Sequence, residues 1–139
     1  MSSLFTSKPI AQHETVVAIL RIVVGLLMLY HGLEIFDSSL MQEYSNWEQL
    51  KNLPFSLSLV YIGKGLELIT GLLFILGFLI RIAALLMIFD MLFICFYLGN
   101  GKFWYEDQHS FLFALIGILY YAFGSGKWSL DQFLAKRLS

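Results

Sequence analysis

Residues 55–98 read FSLSLVYIGKGLELITGLLFILGFLIRIAALLMIFDMLFICFYL, an almost unbroken apolar stretch whose only charged side chains are Lys64, Glu67, Arg81 and Asp90. Crossing the roughly 30 Å hydrocarbon core of a bilayer takes about 20 apolar residues in a helix. The stretch is therefore long enough for two spans, residues 55–80 and 81–98, which abut at Leu79-Ile80-Arg81. Their connection must be short, with Gly77 and Arg81 as boundary residues, so the pair is expected to form an antiparallel helical hairpin.

Two further apolar runs flank this hairpin, residues 15–33 (TVVAILRIVVGLLMLYHGL) and residues 108–124. Together the four runs predict an all-α, four-helix transmembrane bundle in a single integral membrane domain over residues 1–139, its longest connection at residues 34–54. The first run is too long for the apolar region of a signal peptide and no small-x-small cleavage site follows it, so it is expected to stay in the membrane. Composition agrees. The 139-residue chain is 58% hydrophobic and 14% charged, with a mean hydropathy of +0.74, which excludes a disordered chain and is too apolar for an ordinary soluble domain. A net charge of −1 with scattered Lys and Arg excludes nucleic acid as a partner. The single cysteine, Cys95, excludes an intramolecular disulfide, a CxxC redox pair and a thiolate metal site; no metal site is expected.

Lys8, Arg81, Lys127, Lys136 and Arg137 fall on one side of the bundle, and only Lys51 and Lys102 on the other. The positive-inside rule then predicts that both termini face the cytoplasm. The outward loops are acidic and aromatic, with Trp47, Trp104 and Tyr105 as interfacial anchors. Ser129-Leu130-Asp131-Gln132 has capping-box spacing, and Leu130, Phe133, Leu134 and Leu138 follow at helical intervals. This predicts a short C-terminal interfacial helix, anchored by Trp128, whose Lys136 and Arg137 favour anionic lipid. Ser45-Asn46-Trp47-Glu48 is a weaker helix-start signal in the first outward loop.

Polar residues within the spans are costly in lipid and normally face the bundle interior. They are Arg21, His31, Lys64, Glu67, Asp90 and His109. At about 1.5 Å per residue from the cytoplasmic boundary, Arg21 lies roughly 10 Å deep, Asp90 roughly 13 Å, Glu67 roughly 18 Å and Lys64 roughly 22 Å, with the two histidines nearer the outer surface. Arg21 shares a helical stripe with Gly25, Met28 and Gly32, and Glu67 one with Gly63, Thr70 and Gly71; His109 aligns with Phe113, Ile116 and Tyr120. A buried polar cluster of Arg21, Lys64, Glu67 and Asp90 is expected, with Arg21 pairing with Asp90 while Lys64 pairs with Glu67 one turn away. Such a cluster serves either to fix helix register or to handle protons or a ligand. His31, His109 and Tyr120 are candidate ligand-binding residues.

The motif series Arg21-x-x-x-Gly25, His31-Gly32, Glu67-Leu68-x-x-Gly71-Leu72-Leu73-x-x-x-Gly77-x-x-x-Arg81-x-Ala83-Ala84, Asn100-Gly101 and Gly124-x-Gly126-x-Trp128-Ser129-Leu130-Asp131 resembles the DoxX family of small four-span bacterial inner-membrane proteins. The resemblance covers nearly the whole chain. It implies a four-helix bundle in the bacterial inner membrane and an association with membrane redox chemistry, since the family's name comes from a subunit of a thiosulfate:quinone oxidoreductase and other members are linked to oxidative-stress complexes.

Several functions follow as expectations. One is a role in quinone-linked redox chemistry as a subunit of an oxidoreductase, a quinone meeting His31 or His109 while Glu67 or Asp90 exchanges protons. Another is a non-catalytic accessory subunit packed against other membrane protein subunits or in a homo-oligomer. A third is haem ligation by His31 and His109, and a transporter or channel is a fourth.

Overall fold

A computed structural model describes residues 12–139, and among these residues there are six α-helices and no strand. They are α1 (His13–Gly32), α2 (Ser38–Ser45), α3 (Ser56–Leu76), α4 (Ile80–Phe93), α5 (Gln108–Phe123) and α6 (Leu130–Leu138); a 3-10 turn (Leu33–Phe36) extends α1 and a π-helical turn (Ile94–Leu98) extends α4. Three helical stretches, His13–Phe36, Ser56–Leu76 and Ile80–Leu98, are long and apolar enough to cross a membrane, and α5 is a shorter apolar helix. α1, α3, α4 and α5 form the bundle, with α1 packed chiefly on α3 and α4 on α5. Lys8, counted in the orientation reading, lies outside the described residues.

Small residues set the α1–α3 spacing. A Cβ at Gly25 would fall 2.8 Å from the Ile75 amide nitrogen, and one at Gly71 would fall 2.5 Å from that of Leu29, so the two backbones approach as closely as only glycine permits. Between the pairs, Val24, Met28, Phe74, Ala83, Ala84, Met87 and Ala114 fill the interior. The faces turned outward are aliphatic and aromatic, with Ile19, Leu20, Val23 and Leu26 of α1 about half exposed. Helices this long and apolar with such faces lie in lipid, and the chain is a membrane protein.

The second apolar run stops as a helix at Leu76, earlier than the expected residue 80. Gly77 takes the left-handed conformation at φ 63°, its amide donates to the Phe74 carbonyl at 3.2 Å and the Phe78 amide to Leu73 at 3.0 Å. That is a Schellman ending, and it leaves only residues 77–79 to turn the chain into α4. The turn is held from elsewhere: the Asp131 carboxylate accepts from the Leu79 amide at 2.8 Å and the Ile80 amide at 3.0 Å, capping the start of α4.

At the C-terminus, the Ser129 hydroxyl accepts from the Gln132 amide at 3.2 Å and begins α6. Its apolar residues, including Phe133 and Leu138, remain exposed. The first loop departs from expectation. Ser45 ends a helix rather than starting one, because Asp37 caps α2 by accepting from the Ser39 and Leu40 amides at 3.0 and 3.2 Å. α2 and the turns after it fold over the end of the bundle through Met41 and Leu50, both buried, with Val60.

Candidate functional site

Under this cap, between α1, α3, α4 and α5, lies a cavity of about 260 Å³. Its walls are mostly apolar: Met28 from α1, Val60 from α3, Met91 from α4, Phe113 from α5, and Trp47 and Leu50 from the cap. Ile94 and Leu98 enter from the π-helical turn that ends the third span. Into this apolar space project Glu34, Lys64, Glu67, Asp90, His31 and His109.

Lys64 is the hub. Its ammonium nitrogen lies 2.8 Å from Glu67 Oε2 and 2.8 Å from Glu34 Oε2, and 5.4 Å from the centre of the Tyr44 ring, a cation–π distance. Tyr44 donates its hydroxyl to the same Glu34 oxygen at 3.0 Å. Burial, and then the adjoining Glu34 carboxylate, raise the Tyr44 phenol above its ordinary range, so it stays protonated as a donor. His31 and His109 bring their rings to within 6.2 Å, tilted by 42°.

Asp90 is the exception in this network. It is 7% exposed, it faces the cavity, and its Oδ2 has no hydrogen-bond partner. Beside it Gly63 leaves room, since a Cβ there would sit 3.9 Å from Oδ1. Two carboxylates thus share one ammonium, and the third, Asp90, is left without an ion-pair partner. Among the described residues no group of three or more His, Cys, Asp and Glu is arranged to hold a metal ion.

Arg21 does not join this cluster. It is fully buried at the other end of α1, where Nη1 donates to the carbonyls of Ser125 at 2.5 Å and Lys127 at 3.2 Å and Nη2 to that of Trp128 at 2.8 Å. Depth along the helix axis placed it near Asp90, but the loop between α5 and α6 folds back beneath α1 and supplies a ring of backbone acceptors at closer range. The expected Arg21–Asp90 pair is corrected accordingly. Tyr120 belongs to the same end: its hydroxyl donates to the Val17 carbonyl at 2.8 Å and its ring meets Phe74 edge-on, away from the cavity. Lys64 and Glu67 do meet, while Glu34, Tyr44 and Ser110 complete the cavity without having been singled out. Glu34 had a usable signal, because it follows His31 by three residues and so shares its helical face.

A family model described as DoxX matches residues 16–100, more than half of the chain. The chain belongs to the DoxX family. The matched residues of this DoxX protein take in Arg21, His31, Lys64, Glu67 and Asp90, and end before α5, so His109 and the α5–α6 loop contribute to the two polar centres from outside the match. No curated protein and no solved structure matches the chain.

Proposed function

We propose that this DoxX protein binds a lipid-soluble quinone in the capped cavity and acts as a subunit in quinone-linked membrane redox chemistry. The observation that carries the reading is the cavity itself, an apolar space of about 260 Å³ between membrane-crossing helices, with two histidines and a buried unpartnered carboxyl converging on it. A small apolar cavity with a few placed polar groups is the usual form of a small-molecule site. A quinone head is flat, apolar across its faces and polar at two opposed oxygens. Phe113, Trp47 and Met91 suit its faces, and His31 and His109 can donate to an oxygen through a ring N–H.

Interconversion of a quinone and its quinol moves two electrons and two protons. This chain's residues serve the protons. Asp90 and Glu67 lie at the cavity wall, and Lys64 links Glu67 to Glu34, whose side chain is more exposed than that of Glu67, 25% against 6%. Glu67, Lys64 and Glu34 give a proton a route of short steps between the buried Glu67 carboxyl and the capped end. The electrons pass to or from a redox partner in the same membrane. We further infer a bacterial inner-membrane location with both termini in the cytoplasm and the cavity toward the outer surface, on the family membership and the five-to-two distribution of basic residues.

The test is chemical. Protein purified in mild detergent is extracted and the extract analysed for quinones by mass spectrometry, with a visible spectrum of the same sample. Near-stoichiometric quinone is expected, falling in His31→Phe and His109→Phe. A preparation free of quinone that cannot be reloaded overturns the reading; a haem absorption band would reassign the two histidines as axial ligands.

A further inference from the structure

The cavity's polar groups are unequal in what remains for a ligand. Lys64, the only ammonium present, is engaged by both Glu34 and Glu67 at 2.8 Å, and the Tyr44 hydroxyl is spent on Glu34. Asp90 comes from α4, lines the same space at 7% exposure, and carries an oxygen, Oδ2, that is buried without any hydrogen-bond partner. A buried carboxyl left unsatisfied costs free energy, and a ligand that brings a donor to it recovers that cost.

We propose that the cavity selects the reduced, hydroxyl-bearing form of its ligand, a quinol, over the oxidised dicarbonyl form, and that the unpartnered carboxyl of Asp90 makes the selection. This rests on the quinone-site reading above and adds the redox form that the site prefers.

The chemistry is that of donors and acceptors. A quinol hydroxyl both donates and accepts, so it satisfies Asp90 whether the carboxyl is ionised or protonated. A quinone oxygen only accepts. Against ionised Asp90 it sets lone pair against lone pair and leaves the carboxyl unsatisfied, whereas a protonated Asp90 would donate to it, so the selection belongs to the ionised carboxylate. The groups facing Asp90 sharpen the contrast. Neither neighbour leaves a free donor for a quinone oxygen there: Glu67 is itself an acceptor, and Lys64 is engaged by both Glu67 and Glu34. His31 and His109 also line the cavity and can serve the ligand's other oxygen in either redox form. A site built around one hydroxyl discriminates strongly against the analogue lacking it, because the analogue strands the site's own polar group.

The experiment uses the full chain in lipid nanodiscs, with empty nanodiscs as the blank. Tetramethyl-1,4-benzoquinone and its quinol, the latter kept reduced under anaerobic conditions, are titrated separately by calorimetry. The quinol is expected to bind about 10–100-fold more tightly, the range of one hydrogen bond to a charged group. Asp90→Asn is expected to bring the two affinities within a few-fold, since an amide offers a donor to the quinone as well. As a second readout needing no variant, the bound couple should titrate at a higher potential than the free couple, by about 30 mV for each tenfold of preference. Equal affinities in the wild type, or a preference that survives Asp90→Asn, overturn the selection while leaving a quinone site standing. Failure of both forms to bind overturns the site reading itself.

Discussion

The two ends of the bundle treat buried charge in opposite ways. At the end where α1 begins, Arg21 is fully buried and spends its guanidinium on three backbone carbonyls of the α5–α6 loop. Asp131, six residues beyond Ser125, completes the stitch by capping α4. The Arg21 Nη groups and the Asp131 carboxylate are matched to backbone, and the result is a fixed joint between α1, the α3–α4 turn and α6. At the opposite end the charges are matched to one another, unevenly: Lys64 is divided between two carboxylates and Asp90 is left without a partner beside an open cavity. A buried charge bonded mainly to backbone holds structure, whereas one left without any hydrogen bond beside a cavity stores a capacity to bind.

The contrast breaks most visibly at Arg21. Arg21→Met removes three charge-assisted hydrogen bonds and leaves their carbonyls buried, so a loss of at least about 3 kcal/mol is expected, measured as a lowered melting temperature and poor yield in detergent. Gly77→Ala is expected to fail at the same joint, because its Cβ would lie 2.5 Å from Arg21 Nη1 and the position is left-handed. A melting curve unchanged in Arg21→Met would show that this end is not the joint described.

Asp131→Ala should cost about 1 kcal/mol, the usual loss for a helix cap. Its sharper signature is local: with the α4 cap gone, α6 loses one of its ties to the bundle and limited proteolysis should cut the tail sooner. Cleavage at the wild-type rate would leave the tail's attachment to Arg21 and to backbone bonds such as that from the Asp131 amide to the Gly77 carbonyl.

A smaller effect is expected at Asp37, in the connection that leads into the cavity's cap. The Ser39 hydroxyl, and then the Leu40 amide, hold its carboxyl below the ordinary carboxylate range. A lowered acid contributes stability above its unfolded-state range, and that contribution is lost as pH falls through the lowered value. The stability difference between wild type and Asp37→Ala should therefore be present near neutral pH and shrink in acid; a difference independent of pH would contradict the capping role.

Smallest of all is Asp90→Asn. Removing an unpartnered buried carboxyl strands no partner, so the melting temperature should stay level or rise slightly. A large loss would mean that Asp90 holds the fold, as Arg21 does, and the two ends would no longer differ in kind.

How far the sequence reveals these centres depends on what each side chain bonds to. The apolar runs, the Gly77 turn and the capping box at Ser129 are local patterns, written within a few consecutive residues, and each is legible. Lys64 and Glu67 are legible for the same reason, being one turn apart on one helix. Arg21 is not, because its partners are backbone carbonyls, which every residue carries and no pattern marks. The Asp131 cap on α4 joins residues about fifty positions apart, and its spacing suggested only a role in starting α6. Tyr44 reaches the cavity because α2 folds back over the bundle, a consequence of packing Met41 and Leu50 that apolar spacing in a short loop does not announce.

The most direct test of the difference between the two ends is to find where a quinone lands. An azido-substituted quinone, photoactivated on the protein in nanodiscs and mapped by peptide mass spectrometry, should attach to residues 28–34, 59–67, 90–98 or 109–113, and an excess of unmodified quinone should suppress the label. Suppressible labelling confined to the α5–α6 loop or α6, or labelling of lipid-facing residues that excess quinone does not reduce, would contradict the assignment of the capped cavity as the binding site.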